Sequence, residues 1–418
     1  MKKSWKEFTI QDLVDKGEAE LKTGPFGTQL KADEYVDMGT PVINVRNIGF
    51  GSIRESKLEF LDNNTVERLS SHLLKRDDIV FGRKGAVERH AFINEKYANW
   101  FQGSDCLRLR INSSSVLPRF LSYHFLTEQH KKWMMQQCSH GATMASLNQD
   151  IVSRIPITLP PVKDQKQIVN NLSAFDDLIE NNSRRIEILE EMARLIYREW
   201  FVYYRYPGHE NDKLVESETD LGEIPEGWSL RRLDDFGRIE TGKTPSKKDA
   251  ENYGDYMHFI KTPDMHDQFF ILETAEQLSK KGSDTQKKKT LPPNSICVSC
   301  IGTAGVIALT SSSSQTNQQI NSIIIDFPNY REFLYYAIKD LTPTMEKIGS
   351  SGATMTNVNK SKFQGLEVLY PKKSLIEQYH KKAAPIFNQI LVLQKQNIKL
   401  KEARDLLLPK LISGKVEV

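Results

Sequence analysis

The chain has 418 residues, 27% charged and 39% apolar, with 57 Lys and Arg against 54 Asp and Glu. At about 100 to 200 residues per domain this gives two or three domains, and the mixed composition excludes a wholly disordered or collagen-like chain. Four cysteines cannot build a disulfide framework, no apolar run approaches the roughly 18 residues of a membrane span, and Met1 to Ile10 is too polar and short for a signal peptide, so a cytoplasmic protein with no membrane partner is expected.

The first 150 or so residues carry short strand-like segments, among them Val42-Ile43-Asn44-Val45 and Asp78-Ile79-Val80-Phe81, between Gly and Pro turns. After Pro160-Pro161 the apolar positions Ile168, Leu172, Phe175, Ile179, Ile186, Leu189, Ala193, Ile196 and Trp200 alternate steps of four and three around one polar exception, Asn182. That spacing predicts a helix with a heptad seam, about 33 residues long. Tyr206-Pro207-Gly208-His209 through Glu226-Gly227 interrupts every pattern and is the expected joint. A second strand-rich stretch follows, with Ser295-Ile296-Cys297-Val298 and Ile323-Ile324-Ile325. It leads into a second seam at Tyr379, Ala383, Ile386, Ile390, Leu393, Leu400, Leu407 and Leu411, with Asn397 and Arg404 as exceptions. Ser374 and Glu377 read as a capping box for this helix, and Pro385 predicts a kink in its first turns.

The two halves are one unit used twice. Gly141-Ala142-Thr143-Met144 returns as Gly352-Ala353-Thr354-Met355, an offset of 211 residues; Asn148 then answers Asn359 and Pro160 answers Pro371. Thr23-Gly24 matches Thr241-Gly242, Trp5 matches Trp228, and the two short apolar strands each run into a Gly-containing loop at Gly85 and Gly302. Each seam has ten positions, with Asn182 the fifth of the first and Asn397 the sixth of the second. Only an antiparallel pair with flush ends brings the two asparagines together, so they are expected to share a layer and fix the register of the spacer. Such a pair sets one globule at each end of a rod of roughly 50 Å, the same order as the roughly 34 Å between sites one DNA turn apart.

Two motifs suggest other chemistry and do not survive inspection. Gly237-Arg238-Ile239-Glu240-Thr241-Gly242-Lys243-Thr244 matches the phosphate-cradling loop formally, yet the residues before it are largely polar and Pro245 follows at once, so the strand-loop-helix setting is missing. Cys297-Val298-Ser299-Cys300 stands alone, with Cys106 and Cys138 offering no second pair, and on a strand residues three apart face opposite sides, so buried packing is expected and no metal site. There is no Asp/Asn-Pro-Pro-aromatic sequence for amino-group methylation and no Ser or Cys triad, which fits a chain that is not an enzyme.

Over its whole length the chain resembles the specificity subunit of Type I restriction-modification enzymes. The resemblance rests on Leu159-Pro160-Pro161-Val162-Lys163-Asp164-Gln165-Lys166-Gln167-Ile168 at the entry to the central helix, on Gly222-Glu223-Ile224-Pro225-Glu226-Gly227-Trp228 at the entry to the second globule, and on Leu407-Leu408-Pro409-Lys410-Leu411-Ile412-Ser413-Gly414 in the closing helix. The second copy departs in having Pro371-Lys372-Lys373 where the first has a double proline. The resemblance implies an α+β protein: two similar mixed α/β target-recognition domains, at 1–158 and 206–370, separated by spacer helices at 159–205 and 371–418 that form an antiparallel coiled coil. It implies that each target-recognition domain reads half of an asymmetric bipartite site in double-stranded DNA. Two methyltransferase subunits and the restriction subunits would dock on the chain, so that S-adenosylmethionine, ATP and Mg serve the partner subunits and this chain carries no cofactor.

Loops bounded by Gly let Arg or Lys reach guanine or phosphate and Asn or Gln reach adenine. On that ground the DNA-binding candidates are Lys22, Arg46, Asn47, Arg83, Lys84, Arg89 and His90 in the first copy, and Lys243, Lys247, Lys261, Lys287, Lys288 and Lys289 in the second. Arg83 and Lys84, between Gly82 and Gly85, lead the set. Leu178, Ile188 and Leu195 face away from the seam and are the candidate partner-docking residues. The rival readings are a coiled-coil scaffold whose duplicated globules bind protein or glycan, and a phosphate-loop enzyme.

Overall fold

The computed structural model describes residues 5–138, 145–217, 221–350 and 356–416. The repeated Gly-Ala-Thr-Met motif, at 141–144 and 352–355, lies outside them. The chain forms two compact units, one made of Met1–Asp177 with Leu400–Val418 and the other of Leu178–Lys399.

In the first unit a four-stranded antiparallel sheet has the order Ala19–Thr23, Cys106–Ile111, Ile79–Gly82, His90–Phe92. Ile79–Gly82 is buried on both faces, which is why it reads as a continuous apolar run. Ile79 and Phe81 enter one core with Leu107 and Leu109, while Val80 enters another with Ala91 and Cys106, as the period of two requires. A smaller sheet runs Tyr35–Val36, Glu59–Leu61, Thr40–Ile43, Phe101–Gln102, its last pair parallel. Lys6–Thr9 pairs with Pro156–Leu159, and the helices Pro118–Phe125 and Glu128–Cys138 add Phe120, Leu121, Phe125 and Met134 to the larger core.

The second unit repeats the plan, with one strand more in the larger sheet and one fewer in the smaller. Gly237–Thr241, Ile320–Ile325, Ile296–Ser299 and Ile307–Thr310 keep the same order and senses, with Phe270–Ile271 added at the edge. Gln277–Leu278, Tyr253–Ile260 and Ser314–Thr316 form the smaller sheet, again with one parallel pair, and Ser229–Arg232 pairs with Glu367–Tyr370. The aligned asparagines do the same work in both copies. Asn148 accepts from the Ile151 amide at 2.8 Å and Asn359 from the Lys362 amide at 2.9 Å, each capping a short helix. Cys297 and Cys300 are both buried and belong to different cores, on opposite faces of their sheet.

The central helix, Val162–Tyr197, runs into a single wider turn at Arg198–Val202; the distal helix is Lys373–Ile412. All ten seam positions of each helix are buried or half-buried. Within the second unit Asn182 Nδ2 donates to Asn397 Oδ1 at 3.0 Å, and the Tyr379 hydroxyl donates to the Ala193 carbonyl at 3.4 Å, so the helices run antiparallel. Within the first unit the remaining polar seam residue, Arg404, is answered by Asp176 at 2.7 Å.

Two expectations change. The distal helix starts two residues earlier than the capping box implied, because the Lys372 carbonyl accepts from the Ile376 amide at 3.4 Å and Ser374 already lies in the first turn. The expected joint is not a free linker: Tyr206 stacks on Trp228 with ring centroids 5.6 Å apart, and Leu214–Glu216 pairs with Glu223–Pro225, so aromatic burial outweighs the Pro and Gly signals. Compactness also divides the chain inside both helices. Ile168, Leu172, Leu408 and Leu411 are buried in the first core, whereas Ala193, Tyr197, Tyr379 and Ile390 are buried in the second.

Candidate nucleic-acid interface

In each unit five loop segments gather at one edge of the head. In the first, the Gly24 amide donates to the Cys106 carbonyl at 2.9 Å and the Gly103 amide to the Ile43 carbonyl at 3.0 Å. The Arg83 amide reaches the Asp105 carbonyl and the Leu147 amide the Arg83 carbonyl, both at 2.8 Å. These bonds join segments 23–26, 43–47, 82–86, 103–105 and 145–149. In the second unit Gly242 bonds to Ile320, Lys243 to Thr316, Asn317 to Ile260, Cys300 to Gln319 and Val358 to Cys300, joining the equivalent five segments. The Thr-Gly step shared by the copies has a steric cause. A Cβ on Gly24 would lie 2.0 Å from the Gly103 carbonyl oxygen, and one on Gly242 would lie 2.2 Å from two carbonyls.

On the first edge Lys84 is exposed and held by Asp105 at 3.2 Å, and Arg83 is half-buried with its Nε 3.4 Å from the Leu147 carbonyl. Arg46 is exposed and pairs with Glu59 at 2.7 Å. Lys22 lies in the strand Ala19–Thr23, half-buried; burial first, and the Arg108 charge second, lower its pKa. Arg89 lies over the Phe50 ring at 5.3 Å. In the second unit Lys243 is exposed on the 241–244 segment, and Lys287 and Lys288 are exposed on a short turn. Lys247 and Lys261 both approach Glu276, Lys247 at 3.7 Å. Exposed ion pairs of this kind are worth about 0 to 1 kcal/mol, so exchanging the carboxylate for a phosphate costs little.

Three candidates are corrected. Asn47 is fully buried and its Nδ2 is spent on the carbonyls of Arg54 and Ser56 at 2.9 and 3.1 Å; it staples its loop. His90 is also fully buried, with Nε2 2.9 Å from the Ser122 hydroxyl, and burial pushes its pKa down to about 3. Lys289 turns inward, donating to Glu240 at 3.1 Å and to the Thr241 carbonyl at 2.5 Å. The sequence reading also missed polar pairs on the same edges: Gln149 Nε2 donates to Thr23 Oγ1 at 2.9 Å, Thr244 Oγ1 to Gln318 at 2.5 Å, and Asn317 to Gln319 at 2.9 Å. The run Asn317-Gln318-Gln319 between two strands was the available signal.

The phosphate-loop match dissolves, because Gly237–Thr241 is an antiparallel strand paired with Ile325 through Asn321. No group of three metal-ligating side chains exists among the described residues. Leu178, Ile188 and Leu195 are each about half exposed, at 53%, 52% and 48%.

A model of the "Type I restriction modification DNA specificity domain" matches this chain twice, over residues 2–191 and 225–402, each match taking in one head and most of the helix that follows it. The chain belongs to that family. It is the DNA specificity subunit of a type I restriction-modification system, with two target-recognition regions, and the catalytic work and its cofactors belong to other subunits. Among curated relatives, the "Type I restriction enzyme HindI specificity subunit" of Haemophilus influenzae is 31% identical over 89% of this chain and 94% of its own length. The "Type I restriction enzyme MjaIX specificity subunit" of Methanocaldococcus jannaschii is 26% identical over 74% of this chain and 71% of its own. The crystal structure of the S subunit of the type I system of M. genitalium superimposes with a TM-score of 0.57 at 15% identity, covering 97% of this chain and 96% of that one, which establishes the fold. The twin loop edges share their backbone bonds and carry different polar side chains. Among the described residues no helix is long and apolar enough to cross a membrane.

Proposed function

We propose that the two loop edges are the DNA-reading surfaces, each contacting one half of an asymmetric bipartite site, and that the chain acts in the cytoplasm. The observation that carries this is the double construction: ten segments, five per head, joined by equivalent backbone bonds, present Lys84, Arg46 and the Gln149–Thr23 pair on one edge and Lys243 and the Thr244–Gln318 pair on the other. Rigid backbone with variable polar side chains suits readout of different bases by the same scaffold. Target recognition then resides in 1–158 and 206–370, and the helices at 159–205 and 371–418 set the separation of the half-sites, with the Asn182–Asn397 pair fixing register. Leu178, Ile188 and Leu195 dock methyltransferase subunits, which use S-adenosylmethionine; restriction subunits, using ATP and Mg, join that complex.

Methylation mapping of cells expressing this chain with its methyltransferase partners tests the reading. A split motif should appear, and exchange of 206–370 for the same stretch of a relative should change one half of it only. A continuous motif, or one in which both halves change, refutes the assignment.

A further inference from the structure

The duplication offers an internal comparison at Trp5 and Trp228, which occupy equivalent places at the start of each head. In the second unit the segment after the central helix is laid on Trp228. Tyr206 stacks on its ring at 25° and 5.6 Å, and Tyr204 meets it edge-on at 5.4 Å. Tyr206 is anchored by its hydroxyl donating to Asp212 at 2.7 Å. Burial and that bond push its phenol above the usual range, and a hydrogen bond with the Trp228 side chain pulls the other way.

Trp5 lacks all of this. It is 8% exposed, and among the described residues its buried indole N–H has no acceptor and no ring stacks on it. An orphaned buried donor is unusual and costs about 1 to 3 kcal/mol. One side of the indole is covered by Gly414, whose φ is +67°; a Cβ at that position would lie 3.0 Å from the ring, so the approach leaves no room for a side chain. Trp5 also lines a groove of about 1040 Å³ within the first unit, together with Phe8, Phe50, Trp133, Pro409 and Ile412. That volume lies just above the roughly 300 to 1,000 Å³ of ligand sites. The chain's own Tyr204 and Tyr206 are engaged on Trp228 in the second unit.

We propose that the groove at Trp5 is a docking site for an extended, tyrosine-bearing segment of a partner protein, which covers Trp5 as Tyr204 and Tyr206 cover Trp228 and gives its indole N–H an acceptor. The proposal stands on the comparison of the two heads and is independent of how either reads DNA. It is tested with the full chain and a synthetic peptide of the sequence Val-Tyr-Tyr-Arg-Tyr-Pro-Gly, titrated by calorimetry and followed by the nitrogen-15 indole resonances. Saturable one-site binding is expected, shifting the Trp5 indole signal. Trp5→Phe, which keeps an aromatic ring and removes the donor, should weaken it about tenfold, and so should phenylalanine in place of the last tyrosine of the peptide. Phe50→Ser, on the exposed wall of the groove, should weaken it in a chain whose melting is unchanged, which separates loss of docking from loss of fold. Absence of binding at millimolar peptide, or binding indifferent to Trp5→Phe and to the altered peptide, overturns the proposal. Self-association of the chain that Trp5→Phe abolishes also overturns it, in favour of a second copy as occupant.

Discussion

Replacing the paired seam asparagines by leucine, singly and together, gives a signature that ordinary packing cannot mimic. Asn182 Nδ2 donates to Asn397 Oδ1, so Asn397→Leu leaves a buried donor stranded and should cost about 2 kcal/mol. Asn182→Leu is milder: Asn397 keeps Nδ2 contacts to Ser183 Oγ at 3.3 Å and the Ile179 carbonyl at 3.5 Å, and about 1 kcal/mol is expected. The double leucine variant leaves no stranded amide and buries two apolar side chains, so its stability should equal or exceed that of the parent. For a unit of this size 1 kcal/mol moves the melting temperature by about 2 to 4 °C. Calorimetry should therefore show losses of about 4 to 8 °C and 2 to 4 °C for the single variants and none for the pair. The register argument adds a second readout: cysteines placed at facing seam positions should crosslink in one register in the parent and in more than one in the double variant. Additive losses, or single variants that melt like the parent, refute the reasoning.

Lys84→Ala should weaken DNA binding by the partner complex across sequences and lower the slope of log affinity against log salt by about 1, whereas Asn47→Ala should destabilise the first unit by about 1 to 3 kcal/mol and leave the methylated motif unchanged. Binding titrations over a salt series and methylation mapping distinguish the two. Acid should loosen the first unit selectively. His90, His124 and His130 pack around Phe125, and burial lowers their pKa to about 3, to about 4 and well below 6.5 respectively. Their folded-state values lie below the unfolded one, so their neutral forms favour folding above pH 6.5 and that stability is lost as pH falls toward 4, by roughly 2 kcal/mol each for His90 and His124 at pH 5. Melting at pH 7 and pH 5 should show this, and His90→Phe should reduce the shift. Gly242→Ala drives a Cβ into the carbonyls of Thr316 and Asn317 and should cost a few kcal/mol, on the order of the overpacking penalty, with loss of recognition in one half-site only; a variant that melts normally and methylates the parent motif contradicts the described edge.

What could be read from the sequence divides by the range of the interactions involved. The helix seams and the meeting of Asn182 with Asn397 follow from a local period of 3.5, and the matching of Ile79–Gly82 with Ile296–Ser299 as equivalent strands follows from duplication. The candidate edge was legible at Arg83, Lys84 and Lys243 because flanking glycines mark loops. His90 and Lys289 were misplaced because their burial depends on partners far along the chain, Ser122 for His90 and Glu240 with the Thr241 carbonyl for Lys289, whereas Asn47 was misplaced because it turns inward onto the Arg54 and Ser56 carbonyls of its own loop. The parallel pairing of Thr40–Ile43 with Phe101–Gln102 has no local signature either. Ser374 shows a smaller failure, in which a motif with the right spacing was displaced by a helix that opens at the Lys372 carbonyl, two residues before it.

The first unit is built from both ends of the sequence, with Leu408, Leu411 and Ile412 closing a core that contains Trp5 and Ile10. During synthesis those closing leucines leave the ribosome only after all of Leu178–Lys399 has been made, and domains otherwise fold as they emerge. The head made first is therefore the one finished last: it must wait, with its apolar seat open to chaperones, while the inserted second head completes itself.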